Sequence, residues 1–346
     1  MILNLGRYTE VIMGRSVPPE MIDLGILMTE KNANSLSSSF IIVSPNIPVD
    51  ARWMQNGTTV AGGNGPGNAS DQVWFPNGLF VDGDRTMIIG EWENHRVTLW
   101  KMGDTNGEVV AGGHGPGNQS DQFYFPTDVL IDIDGDSFII CDVGNQRVVQ
   151  WSRRSGTTQG EILVNNINCY GLAVDDQKYL YVSDYVKHEV RRYEKGDKDG
   201  TIVAGGNGAG TNLNQFNAPG YIFVDRQQTV YVSDYRNHRV MKWNKGASEG
   251  RVVAGGNGQG SNLTQLSYPN GLSIDTLGTV YVVDSRNNRV MRWPTYAKQG
   301  TIIAGGNGQG SEASQFYNPE GLSFDRQGNL YVADVRNNRI QSFSIE

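Results

Sequence analysis

The sequence that decides the fold spans residues 269–293 and reads PNGLSIDTLGTVYVVDSRNNRVMRW. It opens with Pro-x-Gly and an alternating apolar segment, and a polar turn then leads into a β-branched and aromatic run. A second such run follows an Asp-x-x-Asn-x-Arg turn. Short runs of this composition, bounded by turn residues, are typical of β-strands. The stretch therefore predicts three antiparallel strands, which we call a, b and c in chain order.

The pattern recurs along the chain about every 50 residues. One marker, Ala-Gly-Gly, begins at Ala61, Ala111, Ala204, Ala254 and Ala304. A second marker, an Asn-x-Arg-Val type tetrad, begins at Asn94, Asn145, Lys187, Asn237, Asn287 and Asn337. The second marker occurs six times, and the wide gap in the first marker therefore conceals a damaged unit. The chain has six units.

Each unit also contains a fourth short strand, d, exemplified by Arg251-Val252-Val253, before a long Gly-Gly-Asn-Gly loop. Four antiparallel strands in each of six units predict an all-β fold, a six-bladed β-propeller of four-stranded antiparallel blades. A β-solenoid is the nearest alternative, but its coils are shorter than these units.

The two ends of the chain predict how the ring closes. The first clear strand, Thr58-Thr59-Val60, is a lone strand d, and the last, 339–343, is a strand c. We expect the N-terminal strand to complete the last blade and remove the open edge. Residues 1–45 are then an N-terminal extension, partly disordered, and residues 46–346 form the propeller.

Composition limits the classes of function. Lys and Arg number 29 against 36 Asp and Glu, a net charge of −7, which disfavours a generic polyanion binder. Cys141 and Cys169 cannot supply a disulfide framework, and we interpret each as small apolar filling. No apolar run approaches a membrane span, and no signal peptide is evident. These features favour the cytoplasm and a monomer, although the compartment and oligomeric state stay open.

The motifs Pro-Asn-Gly-Leu, Tyr-Val-x-Asp and Arg-Asn-His-Arg-Val, the last at 236–240, resemble the NHL repeat. The six copies cover residues 58–343, and the third departs most, with Lys187 for Asn and Glu189 for Arg. The resemblance implies a six-bladed propeller. It leaves function open, because the family includes ubiquitin-ligase targeting domains, RNA binders, kinase sensor domains and a zinc-dependent amidating lyase.

No unit carries a distinctive catalytic constellation. The Asp-x-x-Asn-x-Arg turn recurs in almost every unit, which favours a structural role, and no helix follows the Gly-rich loops to form a phosphate cradle. Three of the four histidines, His95, His188 and His238, occupy one repeat position in three different blades, so they cannot converge on zinc. We therefore predict no catalytic residue, no cofactor and no metal.

Strand parity places the b–c turns and the d–a loops on one side of the ring, which we call face one. Trp, Tyr and Arg are the residue types that anchor interfaces, and three arginines fall on consecutive blades there. The predicted partner-binding residues are Arg236, Arg286, Arg336, Trp92, Glu93, Tyr185 and Tyr235. Duplication of the last three units is an alternative explanation for the arginines.

The inner strands should place one side chain per blade at the mouth of the central channel. These residues are Asn77, Thr127, Tyr170, Tyr221, Asn270 and Glu320. The connection from Val164 to Cys169 lacks about ten residues that the one from Ala111 to Pro126 has. Either this forms a notch that exposes Tyr170, or one repeat has decayed without consequence.

These observations favour a non-catalytic recognition or scaffold propeller that binds a macromolecular partner, most readily a protein, on face one. One alternative is a channel-site hydrolase or lyase related to the zinc-dependent amidating lyase. Another is single-stranded RNA binding through the three arginines, which the net charge disfavours.

Overall fold

The structure of the protein is a computed structural model. It describes residues 44–346 apart from Ile133, Gly135 and Ser155. The expected N-terminal extension lies outside the described residues, except for its last two positions. Within the described chain, no helix has the length and apolar character needed to cross a membrane.

The described residues form six four-stranded antiparallel sheets, which are the predicted six blades. Blade 1 contains β2 (Pro76–Val81), β3 (Met87–Glu91), β4 (Arg96–Trp100) and β5 (Glu108–Gly112). Blade 2 contains β6 (Pro126–Ile131), β7 (Ser137–Asp142), β8 (Arg147–Ser152) and β9 (Glu161–Asn165). Blade 3 contains β10 (Cys169–Val174), β11 (Leu180–Asp184), β12 (Glu189–Tyr193) and β13 (Thr201–Gly205).

The second half of the ring repeats the arrangement. Blade 4 contains β14 (Pro219–Val224), β15 (Val230–Asp234), β16 (Arg239–Trp243) and β17 (Arg251–Gly255). Blade 5 contains β18 (Pro269–Ile274), β19 (Val280–Asp284), β20 (Arg289–Trp293) and β21 (Thr301–Gly305). Blade 6 contains β22 (Pro319–Phe324), β23 (Leu330–Asp334), β24 (Arg339–Phe343) and β1 (Thr58–Gly62).

The ring closes as the sequence predicts. Strand β1 pairs antiparallel with β24, from Thr58 opposite Ser342 to Gly62 opposite Arg339. The residues just before β1 pack on the same blade, where Trp53 is buried and its Nε1 donates to the carbonyl of Gly328 at 2.9 Å. The first and last strands of the described chain therefore lie side by side in blade 6.

Burial explains the composition of the strands. The second strand of blade 5, β19, is buried along its whole length because neighbouring blades cover both of its faces. The inner strands approach so closely that a Cβ on Gly78 would lie 2.7 Å from the Cα of Asp128. This close approach explains the recurring Pro-x-Gly at the start of strand a.

The Asp-x-x-Asn-x-Arg turn binds the Gly-rich loop that leads into the same blade. These contacts confirm that the turn has a structural role. In blade 4, Arg239 pairs with buried Asp234 at 2.7 Å and donates to the carbonyls of Thr211, Asn212 and Gln215 in the preceding d–a loop. The same contacts show that b–c turns and d–a loops share face one. They occur again around Arg147 and Arg289.

In five blades the side chain at the histidine position of the repeat links the blade to the next. His238 has a left-handed backbone, and its Nδ1 accepts the N–H of Tyr268 at 3.1 Å. In blades 5 and 6 asparagine does the same, since the Oδ1 of Asn288 accepts the N–H of Asn318 at 2.8 Å. Both residue types offer an acceptor and tolerate the left-handed region, so they exchange at this position.

The interpretation of the two cysteines as separate apolar filling is wrong. Cys141 on β7 and Cys169 at the start of β10 form a disulfide, with a Cα–Cα distance of 5.9 Å. Their spacing of 28 residues gave no sign of pairing. Strand b of blade 2 packs beside strand a of blade 3, so the fold brings them together. A covalent bond therefore joins blades 2 and 3, and the cysteine content no longer favours a reducing compartment.

Candidate binding face

The short connection between blades 2 and 3 accounts for the departures in the third repeat. Elsewhere the turn asparagine and arginine donate to carbonyls of the d–a loop, and blade 3 has no such loop to hold. Glu189 replaces the arginine and pairs with Arg191 at 2.6 Å, while Lys187 reaches the carbonyl of Asn166 at 3.4 Å. The disulfide supplies a covalent link between the blades at this junction.

The three predicted arginines lie exposed on face one, in consecutive blades. We call Arg236, Arg286 and Arg336 the Arg arc. Among the described residues, none of their guanidinium groups forms an ion pair. Arg286 lies over the ring of Tyr268 at 5.7 Å and Arg336 over that of Phe75 at 4.8 Å. The aromatic contacts therefore hold two of these cations in place without neutralising them.

The other predicted partner-binding residues are half-buried and spread around the same face. Trp92 stacks on Phe125 with ring centroids 4.9 Å apart, and Tyr235 contacts Tyr268 at the same separation. Tyr185 meets Tyr170 edge-on at 6.2 Å, and Glu93 is half-buried in blade 1. The structure thus brings Tyr235 close to the Arg arc, whereas Trp92, Glu93 and Tyr185 lie in blades 1 and 3.

The channel-mouth residues converge on the axis, but most of them form a buried plug instead of lining an open mouth. Thr127 and Asn270 are fully buried. Tyr221 stands where four other blades have glycine, and its hydroxyl crosses the ring to donate to Asn77 Oδ1 at 2.8 Å. It also lies 3.2 Å from the carbonyl of Thr127. Half-buried Tyr170 packs edge-on against Tyr221, 5.7 Å between centroids.

Glu320 is the acidic group of this plug. Its carboxylate accepts from Asn318 Nδ2 at 2.8 Å, from Tyr170 Oη at 3.4 Å and from Asn270 Nδ2. Burial raises the pKa of Glu320 to about 7, while the hydrogen bonds from Asn318 and Tyr170 and the charges of Arg286 and Arg336 act in the opposite direction. Two members of the Arg arc, Arg286 and Arg336, therefore lie close enough to the axis to act on Glu320.

Asp128 is a second buried carboxyl that the sequence analysis missed. It occupies the glycine position of Pro-x-Gly in blade 2 and accepts the N–H of Leu172 at 2.8 Å and that of Val129 at 2.9 Å. Burial raises the pKa of Asp128 to about 7. The departure from Pro-x-Gly in this one unit was the signal in the sequence.

Three exposed aromatic residues on face one were also missed. Trp74, Tyr124 and Tyr317, which we call the aromatic arc, are 37%, 40% and 39% exposed and lie in blades 1, 2 and 6. Each stands two residues before the proline that begins strand a. Alignment of the six units on that proline would have found them.

The described chain contains no cluster of three or more His, Cys, Asp or Glu side chains suited to a metal ion. His95, His188 and His238 each accept a backbone N–H from the next blade through Nδ1. Burial lowers the pKa of His95 and His238 and thus favours the neutral form that accepts through Nδ1.

Comparison with known proteins agrees with the architecture. The family model described as NHL repeat matches residues 266–292 and 316–343, in blades 5 and 6. The described chain is therefore a six-bladed β-propeller in which two segments, in blades 5 and 6, match the NHL repeat. No curated protein matches it significantly.

Similar solved structures carry different functions on this fold. An auxiliary nutrient binding protein from Bacteroides thetaiotaomicron is 16% identical, with a TM-score of 0.61 over 89% of this chain and 76% of that chain. A gluconolactonase, XC5397 from Xanthomonas campestris, is 14% identical, with a TM-score of 0.58 over 89% and 100%. A catalytically inactive virginiamycin B lyase from Staphylococcus aureus, with quinupristin, is 10% identical, with a TM-score of 0.52 over 85% and 99%. At these identities the likeness establishes the fold alone.

Proposed function

We propose that the protein is a recognition module. Its face one binds a protein partner by contacting acidic side chains of that partner. The observation that carries the proposal is the Arg arc, three exposed cations on consecutive blades without ion-pair partners in the described chain. The fold does not require arginine there, because the equivalent positions of blades 1 to 3 hold Glu93, Gly144 and Val186.

The Arg arc is suited to binding in two respects. Neighbouring like charges repel, and an acidic partner converts that repulsion into attraction and speeds association. In addition, the rings of Phe75 and Tyr268 already hold Arg336 and Arg286, so these side chains lose little freedom on binding. Backbone bonds fix the turn, since the N–H of Arg286 donates to the carbonyl of Ser267 at 3.2 Å.

The residues at the axis of the ring are better explained by a recognition function than by an enzyme site in the central channel. The polar groups of the plug bond mainly to one another, and a hydrolase or lyase would have to displace those bonds to reach Glu320 or Asp128. RNA binding would use the same arginines against a chain of net charge −7. Protein recognition is therefore our proposal, and RNA is an outcome that the test below can detect.

The test compares two triple charge reversals. One variant changes Arg236, Arg286 and Arg336 to Glu. The control changes Lys195, Lys245 and Lys298 to Glu, since these exposed lysines lie in c–d turns on the opposite face and the net charge changes equally. Proteins that the wild-type chain captures from an extract of its own cells are quantified for all three chains, with melting temperatures as the folding control.

We expect the Arg reversal to weaken capture of the specific partner by about 100-fold, because each lost contact contributes about 1 kcal/mol, and the control to capture normally. Both variants should melt close to the wild type, since exposed substitutions cost little. Equal capture by the two variants would contradict the proposal. Capture that ribonuclease treatment abolishes would assign the face to RNA.

A further inference from the structure

The aromatic arc occupies a backbone position that the fold defines in the same way in five blades. The N–H of Tyr124 donates to Asp142 and that of Tyr317 to Asp334, both at 2.7 Å. The N–H of Asn217 makes the same bond to Asp234 at 2.7 Å in blade 4. The turn carboxylate thus anchors the backbone whether the side chain is aromatic or polar.

The fold therefore does not require aromatic side chains at this position. Blades 4 and 5 hold Asn217 and Ser267 there, whereas blades 6, 1 and 2 hold Tyr317, Trp74 and Tyr124. These three rings remain more than a third exposed, although burying them would be favourable. Exposed aromatic side chains that packing does not require are typical of interaction surfaces.

The aromatic arc meets the Arg arc in blade 6. The carbonyl of Tyr317 accepts the backbone N–H of Arg336 at 3.1 Å, so the d–a loop and the b–c turn of blade 6 bring these two residues together. The guanidinium of Arg336 lies over Phe75, the residue next to Trp74. Around face one, a basic sector in blades 4 to 6 is thus continuous with an aromatic sector in blades 6, 1 and 2.

We infer that the partner contributes a single peptide segment that crosses this boundary, with Asp or Glu residues over blades 4 and 5 and aromatic or large aliphatic residues over blades 1 and 2. The inference rests on the proposed function and adds the chemistry of the segment and the blades that its two parts cover. Charge complementarity selects the acidic end, and the exposed rings select the apolar end. A highly acidic segment without apolar residues would leave the aromatic arc uncovered.

The probe is a displayed library of random linear peptides, selected on the wild-type protein. Selected peptides are synthesised, and their dissociation constants are measured for four chains. These are the wild type, the Arg reversal, an aromatic variant and a surface control. The aromatic variant carries Trp74→Asn, Tyr124→Ser and Tyr317→Asn, which are residue types that blades 4 and 5 hold at this position. The control is Tyr296→Asn, because Tyr296 is 87% exposed in a c–d turn on the opposite face.

We expect the selected peptides to carry both an acidic block and an apolar block. The Arg reversal and the aromatic variant should each weaken binding at least about tenfold, and the Tyr296 control should leave it unchanged. Shortening a peptide to its acidic block should remove the effect of the aromatic variant and preserve that of the Arg reversal.

The possible failures are distinguishable. Selected peptides that are acidic alone, and that bind the aromatic variant as tightly as the wild type, would overturn this inference and leave the proposed function intact. Peptides that depend on the aromatic arc but not on the Arg arc would overturn both proposals. A library that yields no peptide dependent on either arc would also count against both, as would competition for face one by an oligouridylate.

Discussion

Reduction of the disulfide between Cys141 and Cys169 should destabilise the ring at the junction of blades 2 and 3. The bond closes a loop with a sequence separation of 28 residues. By the chain-entropy relation, the oxidised unfolded chain loses conformational entropy equivalent to about 3.6 kcal/mol at 25 °C. The long d–a loop that other blades bind through arginine is replaced by a short connection at this junction, so that arginine contact does not offset the loss.

Urea denaturation with and without reductant measures this difference, with the seven tryptophans as fluorescence probes. The control carries Cys141→Ala and Cys169→Ala, and reductant should not change its midpoint. We expect the free energy of unfolding of the wild type to fall by about 3 to 4 kcal/mol on reduction. Equal midpoints for oxidised and reduced wild type would refute the view that this bond holds blades 2 and 3 together.

Three further predictions concern the closure of the ring by β1, the buried carboxyl of Asp128 and the ion pair between Arg239 and Asp234. Deleting residues 1–62 should lower the melting temperature far more than deleting residues 1–43, since only the longer deletion removes β1 and buried Trp53. Equal melting temperatures for the two deletions would exclude closure of the ring by β1. Because burial raises the pKa of Asp128 to about 7, the free energy of unfolding of the wild type should fall by up to about 4 kcal/mol relative to that of Asp128→Asn as the pH rises from 4 to 8. A difference between the two proteins that urea denaturation finds independent of pH would contradict this. Arg239→Met should lower the free energy of unfolding by about 3 to 5 kcal/mol, because it leaves a buried aspartate unpaired. Arg236→Met, in the adjacent b–c turn, should change it very little, and similar losses for the two variants in urea denaturation would refute the structural role of Arg239.

The repeat made most of the fold predictable. Six copies of one pattern fixed the number of blades, and the orphan strand at Thr58 predicted the closure, because each conclusion depends only on spacing and strand parity. The structural role of the Asp-x-x-Asn-x-Arg turn was predictable for the same reason. A residue type that recurs in nearly every blade must serve the blade.

Positions where one unit departs from the others were harder to interpret. Tyr221 replaces a glycine, and only the closed ring shows that its hydroxyl reaches Asn77 across the axis. Cys141 and Cys169 belong to different blades, so their pairing depends on how neighbouring blades pack. The aromatic arc was visible in the sequence, but the exposure of Trp74 depends on how the loops lie over face one.

The central claim is that face one binds an acidic partner through the Arg arc, and site-specific photo-crosslinking tests it most directly. A photoreactive amino acid replaces Asn217, beside Arg236, or Lys245 on the opposite face, and the crosslinked partner peptides are sequenced. We predict that position 217 crosslinks to segments rich in Asp and Glu, and that the Arg reversal abolishes these products. Crosslinks from position 217 that survive the Arg reversal, or that arise equally from position 245, would contradict the claim.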